Sequence, residues 1–291
     1  MLVAHLSDLH LRGAGDAVWL ERQLDRVAAR QPDHLAITGD LLDRWAPALL
    51  ARVLDALAAR GLLDAERITI LHGNHDLAPS GGPPRGRRDL WRLALHFWDP
   101  PPLLRRRRCR FHRTIAQRAP GVSGPAPFVK SLRCGLRIAV VDTIPLPWVP
   151  FLIRGRTVTL TQAIGAVSPA QSTWLAAQPA SAEPLVVLMH HYPLDSPSYD
   201  WKPEGLPIRR MPTVRVPMHV PGDDAAAFWN GAASANTRLV LCGHVHRARL
   251  EWHGGIAVGL NGQSGAAWAG RPIAWYDVTP DNVTMELETV E

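Results

Sequence analysis

Side chains that can bind metal ions recur at five points in the sequence, each time shortly after an apolar stretch. They are Asp8, His10, Asp40, Asn74, His75, His190, His244 and His246. Gathering buried carboxylates, an amide and imidazoles without a cation would be costly, because buried polar groups need partners and adjacent carboxylates repel. Metal ions remove that cost, and oxygen and imidazole ligands suit Mn, Fe, Co, Ni or Zn better than Ca. The pattern therefore predicts a metal centre.

The elements that must position these side chains can be predicted from hydrophobic periodicity. Strands are predicted at 2–6, 34–38 and 67–71, and they alternate with helices at 18–29 and 47–59. Alternation of strand and helix is typical of a largely parallel sheet covered by helices. Such sheets place their functional residues just beyond the carboxyl ends of the strands, which is where the metal-binding side chains lie.

The remaining sequence continues the pattern with longer irregular stretches. Further strands are predicted at 136–141, 185–189 and 238–242, and several short strands at 255–290. A helix is predicted to begin at Ser168, because a serine followed by a proline is a favourable helix N-terminus. We predict a single domain over the whole chain.

In their order and spacing, these motifs resemble those of the calcineurin-like metallophosphoesterase family. The motifs are Asp8-Leu9-His10, Gly39-Asp40-Leu41-Leu42-Asp43, Gly73-Asn74-His75-Asp76, His190 and Gly243-His244-Val245-His246. The resemblance implies an α/β fold that is a four-layer αββα sandwich of two mixed sheets flanked by helices. Irregular cap insertions would be added to this fold.

The resemblance also implies a centre of two divalent or transition metal ions and a role for each motif residue. Asp8, His10 and His246 would bind the first ion, Asn74, His190 and His244 the second, and Asp40 would bridge the two. A metal-activated water would attack phosphorus in line. His75 would donate a proton to the phosphate or the leaving oxygen, and Asp76 would orient His75.

Four other polar residues lie near the motifs. Asp43 fits either a supporting position beside the metals or the start of a turn or helix. His191 tends to point away from its neighbour His190, and the resemblance favours His190 as the ligand, because the family uses the first residue after the apolar strand. His72 is predicted to be structural and Asp142 to anchor a turn.

Two stretches are predicted to be cap-like insertions that select the substrate, at about 77–133 and 193–221. The first contains the basic run 105–113, which fits either a solvated surface or a contact with phosphate or an anionic surface. An amphipathic helix at 91–98 and an apolar segment at 148–153 fit membrane contact, acyl-chain binding or ordinary packing of a cap.

Composition adds little support for a nucleic-acid partner. The formal net charge is +6, but only Lys130 and Lys202 are lysines among 32 basic residues, which indicates a general bias towards arginine. The three cysteines form no CxxC pair, so neither a disulfide framework nor a cysteine zinc site is expected. The first residues show neither the basic region nor the long apolar region of a signal peptide, and no apolar run reaches membrane-spanning length. We therefore predict a cytoplasmic location, with peripheral membrane contact as an alternative.

Three functions fit these observations. The first is a phosphodiesterase for a small or medium organic diester, because His75 could protonate a poor leaving group. The second is a membrane-associated lipid pyrophosphatase similar to UDP-2,3-diacylglucosamine hydrolases, in which an arginine replaces the residue equivalent to His75. The third is a non-catalytic metal-binding scaffold. The motifs predict the chemistry, whereas substrate, metal identity and oligomeric state depend on other parts of the protein.

Overall fold

The structure is a computed structural model that describes residues 1–77, 101–146, 151–155, 157–160, 164–195, 199–201, 213–265 and 270–291. The strands in these residues are β1 (Leu2–Leu6), β2 (His34–Thr38), β3 (Ile68–Leu71), β4 (Phe128–Ser131), β5 (Arg137–Val140), β6 (Phe151–Arg154), β7 (Thr157–Leu160), β8 (Leu185–Leu188), β9 (Tyr199–Trp201), β10 (Thr213–Val216), β11 (Thr237–Cys242), β12 (Ala248–His253), β13 (Ile256–Asn261), β14 (Ile273–Val278) and β15 (Val283–Glu288). The helices are α1 (Ala14–Arg30), α2 (Pro47–Ala59), α3 (Asn74–Leu77), α4 (Pro101–Ala116), α5 (Pro169–Ala176) and α6 (Gly222–Ser234).

Two large mixed sheets form the centre of the protein. The first has the order β15-β14-β1-β2-β3, and β1, β2 and β3 are parallel. The second has the order β12-β13-β11-β8-β5-β4, and β13, β11, β8 and β5 are parallel. Within each sheet, the carboxyl ends of the parallel strands therefore lie along one edge.

Three layers of apolar side chains hold the sheets and helices together. Helices α1, α2 and α4 pack on the outer face of the first sheet, and α5 and α6 pack on the outer face of the second. The inner faces of the two sheets share a third cluster, in which Ala36 and Tyr276 of one sheet meet Val186 and Leu239 of the other. Burial of these faces is the main force that stabilises the arrangement. The predicted four-layer αββα sandwich is confirmed.

Local sequence signals account for most element boundaries. Helix α2 begins with Pro47 at a position that needs no backbone N–H, and its buried face repeats at helical spacing. The predicted start of a helix at Ser168 is confirmed, because the Ser168 side chain accepts a hydrogen bond from the Gln171 backbone N–H. Helix α1 begins at Ala14, four residues before the predicted boundary, because its first turn has no apolar periodicity to reveal it.

The prediction of a cap-like insertion at 77–133 was wrong for residues 101–133. Helix α4 places Phe111 and Ile115 in the core against the first sheet. Strand β4 pairs with β5 at the edge of the second sheet. The basic run obscured the helix, because α4 buries only a narrow apolar stripe between its arginines. The amphipathic helix predicted at 91–98 lies outside the described residues.

The second predicted insertion, at 193–221, is more regular than expected. Strands β9 and β10 lie within it and join β6 and β7 in a separate four-stranded sheet of order β6-β7-β10-β9. Residues 151–153 of the apolar segment 148–153 belong to strand β6 of this small sheet. No helix among the described residues is both long and apolar enough to cross a bilayer.

Candidate metal centre

The metal-binding side chains are carried by turns in an unusual backbone conformation at the carboxyl ends of the parallel strands. Five of them have φ angles in the left-handed region, which non-glycine residues rarely adopt: Asp8 (55°), His10 (43°), Asp40 (50°), His244 (67°) and His246 (53°). Each such residue costs about 1–3 kcal/mol, and strain of this kind concentrates at functional sites. The backbone at this edge is therefore strained, and the strained conformation directs these side chains towards one another.

Two glycines of the motifs allow these turns to approach one another closely. A side-chain Cβ at Gly73 would collide with the Asp40 carboxylate, and one at Gly243 would collide with Ser7 and the Asp8 carboxylate. These motif glycines are thus required by the backbone packing around the two aspartates.

One group of side chains brings together Asp8, His10 and His246. The Asp8 Oδ1 atom lies 3.3 Å from His246 Nε2 and 3.7 Å from His10 Nε2. The two imidazole Nε2 atoms are 3.3 Å apart. Two nitrogens and one carboxylate oxygen therefore converge on a single point.

A second group brings together Asp40, His190 and His244. The His190 Nε2 atom lies 3.4 Å from Asp40 Oδ2 and 3.0 Å from the Asn74 Oδ1 atom. The opposite ring nitrogen, Nδ1, donates a hydrogen bond of 2.8 Å to the Thr38 carbonyl. This bond fixes the tautomer and leaves Nε2 available as a ligand atom.

Asp40 lies between the two groups. Its Oδ2 atom is 3.7 Å from His10 Nε2 in the first group and 3.4 Å from His190 Nε2 in the second. Its Oδ1 atom accepts a hydrogen bond of 2.8 Å from the His75 backbone N–H. The carboxylate is therefore fixed with one oxygen facing both groups.

The donor set fits two cations. Asp8 and Asp40 are almost completely buried, at 0% and 1% exposure, and imidazole nitrogens surround both carboxylates. The nitrogen and oxygen donors match the preferences of first-row transition metals, and one shared carboxylate is the usual means of holding two ions close together.

The charges within the group strongly affect its protonation. Burial would raise the pKa of Asp8, but hydrogen bonds to His10 and His246 outweigh burial and hold that pKa well below its usual range. Burial likewise opposes ionisation of Asp40, but His190 and His75 lower its pKa. Burial would lower the pKa of His190, whereas the Asp40 charge and hydrogen bond raise it to about 9. Before a metal binds, protons thus neutralise part of the carboxylate charge.

His75 lies at the mouth of the centre, with 30% of its side chain exposed. Its Nδ1 atom donates a hydrogen bond of 3.1 Å to the Asp43 backbone carbonyl, and its ring meets the His10 ring edge-on at 4.6 Å. Burial would lower the pKa of His75, but the charges of Asp40 and Asp43 raise it overall. His10, Asp40 and His75 also form a third group close enough to bind a metal, so geometry alone allows His75 to be either a ligand or an acid.

The structure distinguishes the two roles that the sequence left open for Asp43. Its carboxylate lies 3.8 Å from His10 Nδ1 and 3.9 Å from His75 Nδ1, while its backbone carbonyl holds the His75 ring. Asp43 therefore supports both histidines from the side away from the ligand atoms.

The prediction that Asp76 orients His75 was wrong. The buried Asp76 carboxylate accepts hydrogen bonds from the backbone N–H groups of Gly73, Leu41 and Leu42, at 2.8, 3.3 and 2.9 Å. Burial and the nearby Asp40 charge raise its pKa to about 7. Asp76 thus ties the two metal-binding turns together through their backbones, a role that the sequence motif does not distinguish from contact with the histidine.

Three residues near the motifs have structural roles in the described part of the chain. Asp142 accepts a hydrogen bond of 2.8 Å from the Ile144 backbone N–H and lies 3.4 Å from His72 Nε2. The His191 Nδ1 atom is 3.0 Å from the Thr143 hydroxyl, and His191 belongs to none of the three groups. These residues surround the metal centre without contributing ligand atoms to it.

Sequence reasoning missed Ser7 and Ser264. The Ser7 hydroxyl donates a hydrogen bond of 2.6 Å to Asp8 Oδ2, and Ser264 contacts the Ser7 backbone from a loop 257 residues away. Ser7 directly precedes the first motif and could have been noticed there. Ser264 gave no sequence signal, because the chain separation conceals the contact.

The chain matches one protein family in sequence and several solved proteins in structure. The sequence model of one family, described as calcineurin-like phosphoesterase, matches residues 1–248. No curated protein matches the chain at a significant level. A dimetal phosphatase from Danio rerio has a similar structure, with a TM-score of 0.57, 13% identity and coverage of 99% of this chain and 96% of that one. The protein TT1561 of Thermus thermophilus has a TM-score of 0.50, 13% identity and 98% coverage of both chains. At these identities the two structures establish a shared fold.

Proposed function

The chain belongs to the calcineurin-like phosphoesterase family, and we propose that it is a phosphodiesterase with a centre of two metal ions. Its family membership makes it a metal-dependent hydrolase of phosphoester bonds that acts on small phosphoester substrates. We assign Asp8, His10 and His246 to one ion, Asn74, His190 and His244 to the other, and Asp40 to both. When bound, the ions would supply Lewis acidity that activates water and neutralises charge on the phosphate.

The preference for a diester rests on His75. Its Nδ1–H donates to the Asp43 carbonyl, and the neighbouring carboxylates of Asp40 and Asp43 favour a protonated ring. A protonated His75 can transfer its second proton, on Nε2, to the oxygen of the departing alcohol. That oxygen leaves as a neutral hydroxyl and the histidine becomes neutral. We therefore assign His75 as the general acid rather than as a third ligand of either ion.

Two arginines of the basic run contact the protein itself. Arg107 donates a hydrogen bond of 2.9 Å to the Leu77 carbonyl, and Arg108 donates one of 2.8 Å to the Ile144 carbonyl. Because both guanidinium groups bind backbone carbonyls of the protein, these two side chains are less available to bind an anionic lipid surface. Their contacts therefore favour a small diester substrate over a lipid.

The test is a substrate comparison after metal loading. We would remove metals with a chelator, add back Mn, Fe, Co, Ni or Zn separately, and compare bis(p-nitrophenyl) phosphate with p-nitrophenyl phosphate. With its preferred metal, the protein should hydrolyse the diester with the higher kcat/KM. Turnover of the monoester alone, or of neither compound with any metal, would contradict the proposal.

The role of His75 is tested by varying the leaving group. His75→Ala should slow hydrolysis of a diester with an alkyl alcohol leaving group by about 10²–10⁴-fold, because an alkoxide needs a proton to depart. The loss should be below about tenfold for p-nitrophenolate, which leaves readily without an acid. Metal content should not change. His253→Ala, at an exposed histidine of β12, is the matched control. Equal losses for both leaving groups would exclude His75 as the acid.

A further inference from the structure

A loop beyond the region matched by the family model closes against the first metal-binding turn. The described part of this loop, residues 262–265, follows β13, whereas the family match ends at residue 248. A Cβ at Gly265 would collide with the backbone carbonyls of Asp8 and Leu9. The loop therefore touches the turn that carries Asp8 along its backbone.

Ser264 holds this turn through a reciprocal pair of hydrogen bonds. The Ser7 backbone N–H donates to the Ser264 hydroxyl at 3.2 Å, and the Ser264 backbone N–H donates to the Ser7 carbonyl at 3.1 Å. Both residues are buried, with exposures of 0% and 1%. Water cannot replace these bonds, so the loss of either leaves a buried backbone group unsatisfied.

Three buried neighbours fix Ser264 in turn. The Ser264 hydroxyl donates to the Pro272 carbonyl at 3.1 Å and accepts a hydrogen bond from Asn261 Nδ2 at 3.2 Å. The Ser264 carbonyl accepts a hydrogen bond from Gln23 Nε2 at 3.0 Å. Since the backbone N–H, the carbonyl and the hydroxyl of Ser264 all have partners, its position is strongly determined.

Ser7, held by Ser264, in turn orients the Asp8 carboxylate. Its hydroxyl donates to Asp8 Oδ2 at 2.6 Å, and the His244 backbone N–H donates to Oδ2 at 2.9 Å and to Oδ1 at 3.1 Å. The other oxygen, Oδ1, is the one that faces His10 and His246. The hydroxyl of Ser7 thus binds the oxygen that faces away from His10 and His246 and leaves Oδ1 directed at them.

We propose that Ser264 is a positioning residue for the metal site formed by Asp8, His10 and His246, and that it acts through Ser7. The inference rests on the two-metal centre of the proposed function. Its specific content is that the first metal position depends on this loop more strongly than the second. At the second position, His190 is held by the Thr38 carbonyl and Asp40 by the His75 backbone N–H, and only the His244 backbone N–H bonds to Asp8 among the contacts described for these three ligands.

The experiment measures metal stoichiometry and affinity in the full chain for wild type, Ser264→Ala and Ser7→Ala. Apo-protein is titrated with Mn²⁺ and, separately, with Co²⁺, whose visible absorption reports its ligand geometry. Ser172→Ala is the matched control, since Ser172 is a buried serine in α5, on the outer face of the second sheet. Wild type and the control should bind two ions.

Ser264→Ala should bind one ion with unchanged affinity and the other about 10–100-fold more weakly, as is usual when a group that orients a ligand is removed. Excess metal should restore its kcat without a change in KM. Ser7→Ala removes only the hydroxyl bond to Asp8 and keeps the backbone pair with Ser264, so it should show the same one-site loss even if Ser264→Ala does not fold.

Three results would overturn the inference. One is unchanged binding of both ions in Ser264→Ala and Ser7→Ala, and another is an equal loss of both ions. The third is a wild-type chain that binds fewer than two ions, which would contradict the proposed function as well as the inference. The wild-type titration therefore separates the two failures.

Discussion

Asp40 and Asp142 occupy equivalent positions in the two sheets but have different surroundings. Each lies two residues beyond a buried parallel strand, β2 for Asp40 and β5 for Asp142. Asp142 meets the Arg108 guanidinium at 2.8 Å and His72 at 3.4 Å. The carboxylate of Asp40 is surrounded by the imidazoles of the metal centre.

The kind of positive partner distinguishes the carboxylate proposed to bind metal ions from the one that has a permanent counter-ion. Burial opposes ionisation of Asp142, but His72 and Arg108 lower its pKa to about 2. A guanidinium keeps its charge at every physiological pH, so Asp142 has a permanent counter-ion. Imidazoles can lose their protons near neutral pH and then act as ligands. Asp40 is therefore neutralised by groups that can exchange protons for a cation.

Substitution of Asp40 should have the largest effect. Asp40→Asn removes a carboxylate charge that faces both groups of histidines, so both ions should bind weakly and kcat/KM should fall by more than about 10³-fold. The metal content of the purified variant measures the loss of binding, and the rate of diester hydrolysis measures the loss of activity. Asp142→Asn is the matched control and should keep both ions. If Asp40→Asn keeps two tightly bound ions, the bridging assignment is wrong.

Substitution of Arg108, the counter-ion of Asp142, should lower the stability of the protein and leave metal binding unchanged. Arg108→Gln leaves the buried Asp142 carboxylate without its permanent counter-ion, which should lower the free energy of unfolding by about 3 kcal/mol. Urea denaturation of metal-free protein measures the change, and metal stoichiometry should stay at the wild-type value. Arg113→Gln, at an exposed position on the same helix, should change stability by less than about 0.5 kcal/mol. A metal deficit in Arg108→Gln would show that the two sites are coupled.

Metal affinity should depend on pH, because His190 must lose a proton before it can bind a cation. His190 has a raised pKa of about 9 and must lose its proton before Nε2 can bind a cation. Below that pH, protons compete with metal, so affinity should rise with pH, by up to about tenfold per unit, and level off near pH 9. Titration of apo-protein between pH 6 and 9 measures this slope. An affinity that does not change over this range would mean that His190 is neutral before metal binds.

The sequence predicted the parts of this protein that depend on local pattern. Apolar runs placed β1 and β2 at their observed bounds, and polar residues after the strands identified the groups that converge. Helix α4 was missed because its arginines, two of which bind backbone carbonyls, resemble a solvated charge run. Strand β4 was missed because a short edge strand with alternating exposure has a weak apolar signal.

The errors at the site have a different origin. Asp76 lies 35 residues from Leu41 and 34 residues from Leu42, and no spacing rule predicts its contacts with their backbones. The contact of Ser264 with Ser7 crosses nearly the whole chain. Motifs identify which side chains can bind a metal, whereas the groups that orient those side chains come from tertiary packing.

The central claim, two ions bridged by Asp40, is tested most directly by anomalous diffraction from crystals of the metal-loaded protein at the absorption edge of the metal. The claim predicts two peaks per chain, roughly 3.5–4 Å apart, with the Asp40 carboxylate in contact with both. One peak should lie beside Asp8 and the other beside His190. A single peak, or two peaks of which Asp40 contacts only one, would contradict it.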